Sequence, residues 1–309
     1  MKKILALLTM MALIFAIGCS KDETKTTTVN EFETLVNYLE AQPATSGQWV
    51  NSLNGWIVNY SGLALENYFI LDLRKDVDYN KMHLPNAVNS TLPNMFTAVA
   101  NATKPVLCVC YSGQTASYAH TLLRMKGIEA YVLKFGMSIV ADSLDKWTAN
   151  CSNQYANDPN WEKTAAPALP KFDPPTLSTG KTAAEEIMDA RIDFALGDWG
   201  NRLIDASTVM ANPDYYNIMN YWTADEYNKY GHIKGAYQLT PKTLTKATNL
   251  FVFDPAGNNI LYCYTGQTAA ATIAYLDVLG YDVKSIKFGT NAMIWDVLES
   301  HKWPKPWGN

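Results

Sequence analysis

Apolar positions along this chain follow two periods that alternate. Within 29–39, Phe32, Leu35, Val36 and Leu39 fall at helical spacing, and Asn30 with Glu33 three positions later has the pattern of a capping box. Residues 68–73 (YFILDL) form a short apolar run of the kind that makes a buried strand. A second such run spans 106–109, a helix pattern follows over 115–126, and a further strand pattern covers 130–134. The order then recurs. A helix-rich start over 183–196 precedes strand patterns at 216–221, 260–262 and 283–287, with a helix pattern at 268–279. Strands alternating with helices predict an α/β fold with a parallel sheet, here twice. Residues 165–180 carry four prolines and no periodicity, and read as a stiff linker between the halves. The predicted organisation is therefore a first domain over 30–164, the linker, and a second domain over 181–309.

The two halves share nearly the same heptapeptide. CYSGQTA occupies 110–116 and CYTGQTA occupies 263–269. Each follows an apolar run and precedes a helix pattern, and the same spacing separates Cys110 from Phe135 and Cys263 from Phe288 in two copies of KFG. A repeat of this length is domain-sized. Each cysteine falls where a strand turns into a helix, a place where backbone N–H groups converge and the helix end adds partial positive charge. The expectation is a thiol pushed toward thiolate. The dipole alone supplies only about 0.3–1 kcal/mol at an exposed site, so N–H bonds to the sulfur must supply the rest. Gly113 and Gly266 let the loop turn tightly. The alternative is a buried core cysteine at a strand end, and its occurrence twice in one context weighs against that. The backbone amides of Tyr111, Ser112, Gly113, Gln114 and Thr115, and of Tyr264, Thr265, Gly266, Gln267 and Thr268, are the candidate anion cradles.

Residues 1–18 read as a signal peptide. Lys2 and Lys3 precede an apolar stretch over 4–17 that is too short for a stable membrane span. The AIGC that closes it at Cys19 resembles the lipobox of bacterial lipoproteins, which makes Cys19 the lipidated residue and 19–29 a polar tether. The alternative is an ordinary secretory signal. Either places the protein outside the cytoplasm, and the first implies a lipid anchor on the periplasmic side or the cell surface. The net charge of −4 becomes more negative once Lys2 and Lys3 are removed, and no basic block exists to favour nucleic acid. Apart from Cys19 the cysteines are Cys108, Cys110, Cys151 and Cys263, too few for a disulfide scaffold. Cys108 shares a strand face with Cys110 and reads as core; Cys151 has no counterpart in the second half. No metal-ligand cluster and no dinucleotide-binding glycine pattern is present, so no cofactor is expected.

The ordered set of motifs resembles the rhodanese family in its tandem form. The first copy has FILDLRKDVDYNKMHLPNAVN at 69–89, similar to the family's Asp-x-Arg strand, tyrosine-containing helix and histidine turn at Asp72, Arg74, Tyr79, His83, Pro85 and Ala87. The second has TADEYNKYGHIKGAYQL at 223–239, with Glu226, Tyr227, Gly231, His232, Ile233, Gly235 and Ala236 in the matching places. The resemblance implies two tandem rhodanese-like domains, each a parallel-sheet core flanked by helices. It further implies sulfurtransferase activity: Cys110 and Cys263 would take sulfane sulfur from thiosulfate, a polysulfide or a persulfide, and pass it to a thiol or cyanide. A non-catalytic sulfur carrier is the alternative. Its partners would be a small sulfur-containing substrate or a protein thiol. The six-residue loop from Cys110 to Thr115 has the sulfurtransferase length rather than that of the related phosphatases. Two departures stand out. Thr115 and Thr268 occupy a position where the family commonly has Arg, and the second copy has Asn220 and Trp222 in place of the Asp-x-Arg pair. His83 and His232 are expected to hold turns, Asp72 and Arg74 to form an ion pair, and Tyr111 and Tyr264 either to wall the pocket or simply to pack.

Overall fold

The computed structural model describes residues 29–42 and 55–307. The signal peptide, Cys19 and nearly all of the tether lie outside the described residues. Among those described, no helix is long and apolar enough to cross a membrane.

The first half builds a five-stranded sheet from β1 (Ile57–Val58), β2 (Phe69–Asp72), β3 (Val88–Asn89), β4 (Val106–Val109) and β5 (Ala130–Leu133), in the order β1-β5-β4-β2-β3. Strands β6 (Trp161–Glu162), β7 (Leu203–Ile204), β8 (Asn217–Asn220), β9 (His232–Ile233), β10 (Tyr237–Gln238), β11 (Asn259–Tyr262) and β12 (Val283–Ile286) follow. The second sheet runs β7-β12-β11-β8-β10, the same order in its own numbering, and every pair in both sheets is parallel. The predicted fold class is what the structure has. Strands β4 and β11 lie at the sheet centres and are buried along their whole length, which is why they read as continuous apolar runs.

The helices are α1 (Glu31–Glu40), α2 (Asp76–Lys81), α3 (Met95–Val99), α4 (Gln114–Met125), α5 (Ala184–Asp198), α6 (Ala206–Ala211), α7 (Ala224–Tyr230), α8 (Gln267–Val278) and α9 (Asn291–Ile294). Asn30 caps α1 by accepting from Glu33 N at 3.1 Å. Thr223 and Glu226 complete a reciprocal capping box on α7. Helices α4 and α8 pack against each other and join the two halves. Both are buried on nearly all sides, and small residues at their first turns (Ala116 and Ala119, Ala269 and Ala270) permit the close approach. One continuous apolar core therefore runs through both domains, from Leu122 to Ile273.

A polar cluster sits within this junction. Tyr118 of α4 donates to Asp277 of α8 at 2.5 Å, and Arg202 donates to the other Asp277 oxygen at 2.8 Å. Arg202 also pairs with Asp198 and Asp282. Residues 165–180 have no helix or strand, as their prolines require, but they are strapped down. Phe172 N donates to Phe251 O, and Glu31 accepts from Thr179 N, Thr179 Oγ1 and Gly180 N at 2.7–2.8 Å. Residues at 161–162, counted with the first domain from sequence, pair as β6 with β9 of the second.

Candidate active site

The two cysteine loops are built alike. Each leaves the central strand, passes the cysteine and enters a helix at a left-handed glycine, Gly113 (φ 89°) or Gly266 (φ 72°). The KFG segments explain the second glycine of each copy. The cysteine carbonyl accepts from Met137 N at 2.8 Å in one copy and from Thr290 N at 3.0 Å in the other. A Cβ on Gly136 would come within 2.4 Å of Cys110 O, and one on Gly289 within 2.3 Å of Cys263 O, so only glycine fits.

The sulfurs face backbone amides. Cys110 Sγ accepts from Gly113 N at 3.1 Å and Ala116 N at 3.4 Å, and Cys263 Sγ accepts from Ala269 N at 3.4 Å. The electrostatic outcome corrects the expectation of a depressed thiol pKa. Burial pushes both thiols up. The N–H groups of Ala116, Ser112 and Gly113 oppose it at Cys110, and those of Ala269, Thr265, Gly266 and Thr268 at Cys263, but neither set overcomes the loss of solvent. Burial pushes Cys108 up as well, and Cys151 to about 12.

Access separates the copies. Cys263 lines a cleft of about 240 Å³ with Tyr221, Trp222, Glu226, Tyr264, Thr265 and Thr268, and with Ile57, Lys134 and His301 from outside its own loop. The cleft beside the other loop holds Lys75, Asp78, Tyr111, Ser112, Lys146, Asn150 and Phe288, without Cys110. There Tyr111 donates to Asp78 at 2.7 Å and accepts from Lys75 N at 3.2 Å, which fastens its ring across the loop. In the second copy Tyr264 instead stacks on Trp222, with ring centres 4.5 Å apart. The substitutions at 220 and 222 thus reshape the pocket. Asp72 and Arg74 form a buried bidentate pair, with Arg74 Nη2 also donating to Met82 O, whereas Asn220 donates to Tyr262 Oη at 2.8 Å.

Two loop residues have partners no sequence pattern announced. Gln114 Oε1 accepts from Phe288 N at 2.9 Å, and Gln267 Oε1 accepts from Phe135 N at 3.3 Å. Each glutamine reaches the KFG of the other domain. Phe135 (φ 65°) and Phe288 (φ 60°) are left-handed, a conformation bulky residues rarely adopt, and their amides are turned toward the glutamines. Thr115 accepts from Trp199 Nε1 at 3.0 Å and so faces the C-terminal end of α5, whereas Thr268 lines the Cys263 cleft. His83 and His232 stack on Tyr79 and Tyr227, whose hydroxyls donate to Ala87 O and Ala236 O across the turns. Sequence reading overlooked Lys134 and His301, and it named Trp222 only as a departure from the Asp-x-Arg pair. Lys134 was visible only as the first letter of KFG. Among the described residues no acidic, histidine and cysteine cluster could hold a metal ion.

The rhodanese-like domain model matches residues 60–149 and 198–294, together more than half of the chain and one stretch around each cysteine loop. This chain belongs to the rhodanese family. It is a tandem member, with one match per sheet. Among solved structures it is similar to a rhodanese-related protein from Thermoplasma volcanium (18% identity, TM-score 0.26, covering 27% of this chain and 89% of that one). It is also similar to the 3-mercaptopyruvate sulfurtransferase from Leishmania major (17%, 0.29, 76% and 72%) and a thiosulfate sulfurtransferase from Pseudomonas aeruginosa (15%, 0.26, 78% and 43%). No curated protein matches. The family assignment rests on the two matched regions.

The four described cysteines of this chain should differ in alkylation. Iodoacetamide is expected to label Cys263 ahead of Cys110, and both ahead of Cys108, because Cys263 lines a cleft, Cys110 is absent from the lining of the cleft described beside its own loop, and Cys108 is fully buried. Because burial raises the Cys263 pKa, the thiolate is the minor form at pH 7, and the labelling rate should still be climbing above pH 9. Peptide-resolved mass spectrometry across pH reads both. A Cys263 rate that levels off below pH 8 would mean that the amides outweigh burial.

Proposed function

We propose that this protein is a sulfurtransferase that moves sulfane sulfur from a donor to a thiol or cyanide through a persulfide on Cys263, with Cys110 as a second, slower carrier. The reading is supported by family membership, and above all by one observation: Cys263 lines a cleft, and its sulfur accepts from Ala269 N with the N–H groups of Thr265, Gly266 and Thr268 close by. With thiosulfate as donor, the thiolate attacks the outer sulfur, the sulfur–sulfur bond breaks, and sulfite leaves with its electron pair. The terminal sulfur of the persulfide then carries the charge, and the N–H groups of Thr265, Gly266 and Thr268 are available to hold it. An acceptor thiolate or cyanide attacks that sulfur and restores the cysteine thiolate.

Incubation with a sulfane sulfur donor should add the mass of one sulfur to the Cys263 peptide. Addition of cyanide should remove it as thiocyanate, over many cycles. Retention of a single sulfur without release would instead support a carrier. No added mass at either cysteine would sink both readings. The same proposal puts the protein outside the cytoplasm, anchored through Cys19. Incorporation of labelled fatty acid, lost in Cys19→Ser, checks this.

A further inference from the structure

The loop around Cys263 contains no cation, yet its cleft contains one, and it comes from the other domain. Lys134 follows directly on β5 and lines the cleft with Cys263, Thr265 and Thr268. Its backbone is held on both sides. Lys134 N donates to Val58 O at 2.9 Å, and the next amide, Phe135 N, donates to Gln267 within the Cys263 loop. The position of the lysine is therefore set by a bond to the loop it serves. Its side chain is half-buried and its ammonium lies 5.2 Å from the Phe135 ring centre. Among the described residues, no carboxylate pairs with it. Its counterpart Lys287 is bound to Asp205 at 3.0 Å.

The other charged groups of the cleft leave this cation free to act. Glu226 is held by Thr223 N and Thr223 Oγ1 in the helix cap, at 3.0 and 2.8 Å. His301 lines the same cleft as Lys134, and burial together with the Lys134 charge lowers its pKa against the opposing charge of Glu226. Burial likewise lowers the Lys134 pKa, the signature of an ammonium kept from water with nothing to compensate it. An anion in the cleft would supply the compensation.

We propose that Lys134 of the first domain is the anion-binding residue of the Cys263 site, and that it selects sulfur donors bearing a negative head group, such as thiosulfate or an organic thiosulfonate, over neutral ones. The inference rests on the sulfurtransferase reading for its substrate, but its test does not. The head group sits on Lys134 while the outer sulfur meets Cys263, and the departing sulfite or sulfinate leaves with the charge that Lys134 held.

Iodoacetate and iodoacetamide differ in charge and little in size, so the ratio of their rates at Cys263 reads a local cation without any sulfur chemistry. Lys134→Gln should lower that ratio by about tenfold, the size of one charge-assisted hydrogen bond. Lys134→Arg should preserve it, and Lys287→Gln should leave it unchanged. In the unaltered protein, sulfate should protect Cys263 but not Cys110 from iodoacetamide. An unchanged ratio in Lys134→Gln, or no sulfate protection, overturns the proposal even if the protein transfers sulfur. A ratio that falls in a protein that transfers none upholds the anion site and overturns the sulfurtransferase reading.

Discussion

Cys263→Ser is expected to lower steady-state sulfur transfer by on the order of 10³-fold or more, the effect of removing a covalent nucleophile. Cys110→Ser should lower it only a few-fold. The difference follows from access, since the two loops are nearly identical in sequence: Cys263 lines a cleft, whereas the Cys110 loop is fastened by Tyr111 to Asp78 and Lys75. Rates of the two single variants and the double variant decide the matter. A relay between the sites would make Cys110→Ser as inactive as the double variant. Independent sites would leave most of the activity in Cys110→Ser. If instead Cys110→Ser proves the more damaging, the assignment of Cys263 as the principal nucleophile fails.

The largest loss of stability is expected from Arg202→Met. Its side chain is 7% exposed, and the guanidinium joins Asp198, Asp277 and Asp282. Asp277 is fully buried, and once Arg202 is gone its carboxylate keeps the hydrogen bond from Tyr118 but loses its ion pair. Breaking such a buried pair from one side costs about 3–5 kcal/mol. Urea denaturation should show this as a lower midpoint. The sign of the pH dependence follows from the carboxyl. Burial already raises the Asp277 pKa, and loss of Arg202 raises it further. The deficit should be full above that raised pKa and narrow as pH falls through it, because a protonated Asp277 no longer needs a cation. Asp277→Asn in the Arg202→Met background should recover part of the loss. A deficit that is independent of pH would place the cost in packing instead.

The sheets were legible because their central strands are continuous apolar runs, and β4 and β11 needed no alternation to be seen. Edge strands such as β1, β3, β7 and β10 are two residues long, and no period can be read from two residues. The cysteine loops were legible because they repeat. Their surroundings were not, because the residues that complete the Cys263 cleft are remote in sequence: Ile57 and Lys134 belong to the first domain and His301 to the C-terminal segment. The thiol electrostatics were misjudged for a related reason. A heptapeptide displays its amide donors, but the burial that outweighs them comes from the whole fold. Gln114 and Gln267 looked like equivalent loop donors, and a single copy gives no hint that each serves the other.

That exchange of glutamines bears on how such a protein could arise and what it can no longer become. A lone ancestral copy would have had to satisfy its own phenylalanine amide, or pair with a second molecule to do so. In the present chain the glutamine of each half accepts from the phenylalanine amide of the other, and α4 and α8 bury much of their surface against each other. Excising either half would strand a strained backbone and an apolar helix at once. The heritable unit is the duplicated pair, and recombination that shuffles single copies between relatives should yield insoluble products unless both halves travel together.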